Sequence, residues 1–314
     1  MRSFVAIGEA MAEFSRFPDG TWRQGFAGDT LNVAWALRAL SAAQDVPVAY
    51  LTRIGGDPFS GAFVDFLKQA GLGTDLIQID GDKTIGLYTI ETDDQGERSF
   101  TYWRGQSAAR GLASDRGGLL HGIGDASLVY LSGITLAILP DADRATLLDA
   151  LGTRGSRPFT VAFDPNIRPR LWSDAAAMRH AINRAAAVSD IVLPTFDDEA
   201  MAFGDADPAA TLARYRALGI PEVVVKNGTN PTLYANADSQ GSCTVAAPVR
   251  AVDTTGAGDS FNGAFLAARL GGCGLVDAIH AGQAAARVVV GQRGALAPMH
   301  ELVAACAPET GNTL

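Results

Sequence analysis

Short, nearly unbroken apolar runs alternate with helix-patterned segments along most of this 314-residue chain, and that alternation restricts the fold more than any other feature. The runs "FVAIGEA", "VPVAYLTRIG", "SLVYLSGI", "FTVAFDPN", "DIVLPTF" and "EVVVKNG" have strand length. They lack the strict polar alternation of a sheet with one wet face. Parallel strands covered by helices on both sides read this way. Between them, "TLNVAWALRALSAA", "PFSGAFVDFLKQAG" and "DAAAMRHAINRAAAVS" carry helical periodicity. Such repetition with right-handed crossovers predicts an α/β fold: a doubly wound, mostly parallel sheet flanked by helices.

The rhythm breaks twice. Residues 83–104, "KTIGLYTIETDDQGERSFTYWR", predict two strands joined by the hairpin signal "DDQGE". Residues 13–26 are extended and aromatic, with no helical pattern. We expect one domain over residues 1–314, whose α/β core carries a small β-sheet lid built from segments at approximately 12–30 and 83–106. Apolar edge strands on that lid predict a homo-oligomer.

Composition removes several classes of function. Hydrophobic residues at 47% and charged residues at 19% describe a packed globular chain. No apolar run approaches the ~18 residues that span a bilayer, so no membrane partner is expected. The start, "MRSFVAIGEAMAEF", has an acid within its apolar part and no small-residue cleavage site. It reads as a first strand, with the cytoplasm as the expected location. A net charge of 25 − 34 = −9 argues against nucleic acid as the main partner. Cys243, Cys273 and Cys306 are too scattered for a disulfide framework or a zinc site.

The chemistry concentrates in "DTTGAGDSFNGAFLAARL". Phe261, Ala264, Phe265 and Ala268 have helical spacing, so Gly256, Ala257 and Gly258 sit at a helix N-terminus. Free N–H groups and the positive dipole end attract anions there, and small residues let a phosphate come close. The chain contains neither GxxxxGK[ST] nor GxGxxG, which disfavours a Walker-type loop and a dinucleotide fold. On its own, Asp259 reads equally well as a helix cap or as a reacting acid.

With these residues in view, the chain resembles the ribokinase-like (PfkB) carbohydrate kinases, and in particular their bacterial 2-keto-3-deoxygluconate kinase branch. "VAIGEAMAEF", "GFAGDTLNVAWALRAL", "RIGGDPFSG", "GLYTIETDDQGERSFTYWR", "VYLSGITLAIL", "FDPNIRPRLW", "VVVKNG" and "DTTGAGDSFNGAF" follow in the family's order. The resemblance implies ATP-dependent phosphorylation of a sugar acid, 2-keto-3-deoxygluconate, on its terminal hydroxyl. Asp259 matches the base, and the N–H groups of Gly256, Ala257 and Gly258 match the anion hole. A carboxylate at a helix N-terminus is expected to stay ionised. Gly28, Asp29 and Asn32 match the sugar-binding turn; Tyr88, Tyr102, Arg104 and Arg168 match contacts to the ketodeoxy acid. Tyr102 and Arg104 alternate along one strand and so share a face. Arginine suits a carboxylate because its planar fork binds both oxygens. Arg170 is expected only to pack beside Trp172.

Lys226, Asn227 and Gly228 fall at a strand end, where the family places nucleotide, and the adenine pocket is expected to draw on the helix around His280–Gln283 and Ala286, with Gln283 as a contact. Mg²⁺ accompanies ATP. The family's Asn-x-x-Glu motif is absent, and Thr195 with Asp198 or Phe196 with Glu199 aligns equally well. Asp253 and Thr255 match positions that bind a monovalent cation such as K⁺ in some relatives. A fructose kinase, a kinase of the galacto epimer and a non-catalytic sugar-binding sensor are the alternatives.

Overall fold

The computed structural model describes residues 3–17, 19–92, 98–153, 159–245 and 249–307. Its strands in chain order are β1 (Phe4–Ile7), β2 (Met11–Arg16), β3 (Trp22–Ala27), β4 (Val48–Gly55), β5 (Ile77–Asp80), β6 (Gly86–Thr92), β7 (Arg98–Trp103), β8 (Leu128–Ser132), β9 (Thr160–Asp164), β10 (Ile191–Val192), β11 (Glu222–Val225), β12 (Thr232–Ala235) and β13 (Gln240–Cys243). The helices are α1 (Asp29–Ser41), α2 (Pro58–Gln69), α3 (Arg116–Gly124), α4 (Gly133–Ile138), α5 (Asp141–Gly152), α6 (Ala175–Ala187), α7 (Phe196–Phe203), α8 (Pro208–Ala217), α9 (Ala257–Gly271), α10 (Leu275–Val290) and α11 (Met299–Cys306).

Among the described residues, one sheet has nine strands in the order β13-β12-β11-β10-β9-β8-β1-β4-β5. The stretch from β11 to β5 is parallel throughout. An antiparallel pair, β12 and β13, closes one edge. Both faces of the sheet are covered, and alternate residues of β1 show why the apolar runs are continuous. Phe4 and Ala6 join Leu31, Tyr50, Tyr130 and Phe265 on one side. Val5 and Ile7 join Leu51, Val129, Leu147 and Phe163 on the other.

The second sheet has the order β3-β2-β6-β7. Here β2 runs antiparallel to β3 and parallel to β6, and β7 returns antiparallel to β6. The expected small sheet is thus formed from both segments that broke the rhythm. The turn 93–97, "DDQGE", lies outside the described residues. One face of this sheet rests on α2: Phe14 meets Phe59 edge-on at 5.6 Å, and Phe26 lies 5.4 Å from Phe63. The opposite face carries Tyr88 and Tyr102, stacked at 5.6 Å.

Close packing of α1 on α9 brings the two ends of the sequence together. A Cβ on Gly263 would stand 2.6 Å from the Val33 carbonyl oxygen and 2.7 Å from the Ala36 Cβ. Two helix backbones therefore touch at Gly263, which places Asn32 of α1 beside Asp259 of α9. Gly263→Ala is expected to force the helices apart and cost about 1–3 kcal/mol. Urea unfolding checks this as a lower midpoint at unchanged slope. A midpoint equal to the parent's would show that the helices accommodate the methyl.

Candidate active site

The polar centre lies where several strands end together: Glu9 two residues beyond β1, Ser132 closing β8, Asp164 closing β9 and Lys226 after β11. Open α/β sheets gather ligand-binding groups at this end of their strands, beside the point where strand order reverses.

Asp29 opens α1 and accepts three hydrogen bonds. Its Oδ1 accepts the Thr30 N–H at 2.9 Å. Its Oδ2 accepts the Ser132 hydroxyl and the Asn166 side-chain amide at 2.9 Å. Burial pushes its carboxyl up, and the Ser132 and Thr30 donors and the Arg104 charge oppose that. Asn166 adopts φ 34°, in the left-handed region that costs a non-glycine residue energy. Its backbone N–H donates to Asp164 Oδ1 at 2.9 Å. One turn along α1, Asn32 Nδ2 donates to Asp259 Oδ2 at 2.8 Å. Asn32 Oδ1 is buried without a hydrogen-bond partner among the described residues, an acceptor suited to a ligand hydroxyl.

Asp259 sits in the first turn of α9, behind the N-cap Gly256 at φ 76°. The helical hydrogen bonds begin with Ser260 N–H to the Gly256 carbonyl at 2.8 Å. The Ala257 N–H donates to Thr254 O at 3.2 Å, whereas those of Gly256 and Gly258 find no backbone acceptor among the described residues. The Ala257 N–H, expected to be free for an anion, is thus already engaged. A second correction concerns charge. The Asp259 carboxyl is pushed up to about 7 by burial, with Asp29 and Asp164 adding repulsion and Asn32 and Lys226 opposing it. A helix terminus contributes about 0.3–1 kcal/mol, less than one pKa unit, whereas burial moves a carboxyl by several units. Burial wins.

Lys226 brings an ammonium group to the glycine turn. It is buried, and its Nζ donates to Asp164 Oδ2 at 2.6 Å and to Asn262 Oδ1 at 3.2 Å. Asn262 Nδ2 also donates to Asp164 Oδ2 at 2.6 Å. A Cβ on Gly258 would lie 3.5 Å from Lys226 Nζ, so the ammonium lies against the glycine turn.

Arg104 follows β7 and pairs with the buried Glu9; its Nε is buried with no partner among the described residues. Tyr102 is raised by partial burial, and the charges of both Arg104 and Arg168 oppose that shift. Tyr88 is buried and donates to Glu13. Arg168 pairs with Asp198 at 3.1 Å. Arg170 is exposed, and Arg144 covers the Trp172 ring in its place, at 4.8 Å.

The two alignments at α7 separate here. Glu199 is buried away from the site, with Arg214 Nη2 at 2.5 Å and the Tyr215 hydroxyl at 3.0 Å. Asp198 faces Arg168, and its carboxyl, raised by burial, also feels Asp164 and Lys226. Mg²⁺ bound with nucleotide keeps several waters and needs only one or two carboxylates. Asp198 fits that use better than Asp164, whose oxygens are engaged by Asn166, Lys226 and Asn262.

Gly228 adopts φ 57°, and open space surrounds its Cβ position. Gln283 Nε2 donates to Thr232 Oγ1 at 3.2 Å and the Cys243 carbonyl at 3.3 Å, tying α10 to the sheet edge. Asp253 accepts the N–H groups of Thr255 at 3.0 Å and Gly294 at 2.7 Å, which fixes the loop before Gly256. Sequence reading missed Glu9, Asn166 and Asp164 as site residues, although "GEAM" and "FDPN" carry them in plain view.

Residues 1–302 match the pfkB family of carbohydrate kinases. The chain is 37% identical over 311 residues to the 2-dehydro-3-deoxygluconokinase of Dickeya dadantii (strain 3937), covering 96% of this chain and 99% of that protein. It is 35% identical over 309 residues to the 2-dehydro-3-deoxygluconokinase of Escherichia coli (strain K12), covering 96% and 99%. The fold is shared with the fructokinase of Vibrio cholerae O395, solved with fructose, ADP and calcium ion bound. There the TM-score is 0.82 at 24% identity, over 97% of this chain and 98% of that one.

Proposed function

The chain belongs to the pfkB family of carbohydrate kinases and is a sugar kinase, and from that premise we propose that its substrate is 2-keto-3-deoxygluconate, phosphorylated by ATP on the terminal hydroxyl. The observation that carries this reading is Arg104, whose buried Nε has no partner among the described residues, in a chain 37% identical to a 2-dehydro-3-deoxygluconokinase. A guanidinium whose Nε is buried and unpaired can take a further carboxylate oxygen, which a sugar acid offers and a neutral sugar does not. From Arg104 the polar groups lead on to Asp29, to Asn32 three residues later on the same helix, and to Asp259. The acid end of the substrate lies at the arginines with Tyr88 and Tyr102, its hydroxyls at Gly28, Asp29 and Asn32, and its terminal hydroxyl at Asp259.

In the reaction, the terminal oxygen bonds to the γ-phosphorus while the bond from that phosphorus to the β,γ-bridging oxygen breaks. The hydroxyl proton passes to Asp259, and ADP leaves. The N–H groups of Gly256 and Gly258 and the Lys226 ammonium meet the charge on the transferring phosphoryl. Asp198 would hold Mg²⁺, which would supply charge neutralisation to the phosphates. Gly228 leaves room for nucleotide, and Gln283 borders that region; Asp253 and Thr255 remain our proposed monovalent-cation position. The small sheet serves as a lid over the sugar acid, limiting transfer to water. Trp22 and Trp103, 45% and 57% exposed on its edge strands, support our reading that two copies associate through it.

The test compares initial rates on 2-keto-3-deoxygluconate, its galacto epimer, fructose and gluconate, for the parent and Arg104→Ala. Truncation is expected to raise KM for the ketodeoxy acid about 10²-fold, equivalent to about 3 kcal/mol for a charged contact. Preference for fructose by the parent would overturn the substrate, and no turnover at all would favour a sugar-binding sensor.

A further inference from the structure

The main chain passes between the two sheets four times, and all four passages meet at Glu9. The first, from β1 into β2, contains Glu9 itself. The second returns from β3 to α1 through Gly28, where a Cβ would clash with the Glu9 carbonyl oxygen. The third enters β6 at Gly86, where a Cβ would lie 2.8 Å from Glu9 Oε1. The fourth leaves β7 through Arg104, which pairs with Glu9, and Ser107, whose hydroxyl donates to Glu9 Oε1.

Glu9 is 3% exposed. A well-packed apolar residue would fill such a joint at least as stably as a desolvated ion pair. The acid is therefore explained by what it orients. With one terminal nitrogen of Arg104 fixed on Glu9, its buried Nε is left without a partner among the described residues and available to a ligand oxygen. The passage pressed against the Glu9 carbonyl is the one that leads into Asp29. We propose that Glu9 is a positioning residue, the pin about which the small sheet is set on the core, and that it fixes Arg104 relative to the Gly28–Asp29 turn. It thereby sets the selectivity for a sugar acid over a neutral sugar. The selectivity part of this proposal rests on the sugar-acid reading above.

The test uses Glu9→Gln, which keeps size and removes charge, and Ser107→Ala, which removes one bond to the same carboxylate. Glu9→Gln is expected to raise KM for the ketodeoxy acid by about tenfold or more, with kcat and KM for ATP changed by less than about threefold. In an Arg104→Ala background it should have no further effect on that KM, because the two residues act as one unit. Ser107→Ala should shift KM in the same direction by a smaller factor, and it carries the test should Glu9→Gln not fold. An unchanged KM in folded variants, or effects that multiply fully in the double variant, would overturn the proposal. Amide hydrogen exchange gives a readout independent of substrate: Glu9→Gln should speed exchange at residues 10–12, 26–28, 85–87 and 103–107 together. Faster exchange there, with no sugar acid turned over by the parent, would sink the substrate reading and keep the pin. Unchanged exchange would sink the pin.

Discussion

Asp259→Asn is expected to lower kcat by about 10²–10⁴-fold, the usual range for a general base, while KM for both substrates changes little. Asparagine keeps the shape and the contact with Asn32, so the loss isolates proton removal. The same group sets the pH profile. In the proposed role Asp259 must be deprotonated to act, and burial with Asp29 repulsion holds it up at about 7. Activity is therefore present above that pH and lost as pH falls through it. Because kcat/KM reports the free enzyme, its acid limb should have a midpoint near 7, far above an ordinary aspartate. A limb near 4, as for an unperturbed carboxyl, would show that the helix dipole prevails over burial. A kcat within about threefold of the parent in Asp259→Asn would remove the residue from the chemistry.

The second large effect is expected at Lys226. Lys226→Met removes the ammonium lying beside the glycine turn and should lower kcat by about 10²–10³-fold, as for a lost donor to a developing charge. It also leaves Asp164 buried without its ion pair, which costs about 3–5 kcal/mol. Asp164→Asn added to Lys226→Met should recover the stability and not the rate. Lys226 also holds Asp259 down, so the acid limb of kcat/KM should move upward in Lys226→Met. Recovery of the rate together with stability would make Lys226 a structural residue only.

How much of this was legible in the sequence follows from which residues speak locally. β1, β4, β8, β9 and β11 all lie within the apolar runs, because strands buried on both faces leave an unbroken hydrophobic signal. β5, β12 and β13 left none. β5 is the outer strand, with Ile79 70% exposed, and "QGSC" of β13 is largely polar and sits at the opposite edge. "DIVLPTF" kept only Ile191–Val192 as a strand, since Pro194 cannot extend a ladder.

At the site, the glycine turn and the arginines were readable through short motifs and their order. Their partners were not. Asp29 takes Ser132 and Asn166 from 103 and 137 residues away, and Asn32 reaches Asp259 across 227. Glu9 read only as an acid interrupting an apolar start; its importance comes from four chain passages that meet in space alone. The Asp259 expectation failed for a related reason. A helix terminus is visible in sequence, whereas the burial of Asp259, and the approach of Asp29 and Asp164 that adds to it, arise only in the fold.

The most direct measurement is proton-coupled ³¹P NMR of 2-keto-3-deoxygluconate incubated with ATP, Mg²⁺ and the protein. One new phosphomonoester resonance, split by two methylene protons and growing in step with ADP, is the predicted result: transfer to the terminal hydroxyl of the sugar acid. Inorganic phosphate alone, or ATP left intact while fructose is phosphorylated under the same conditions, would contradict it.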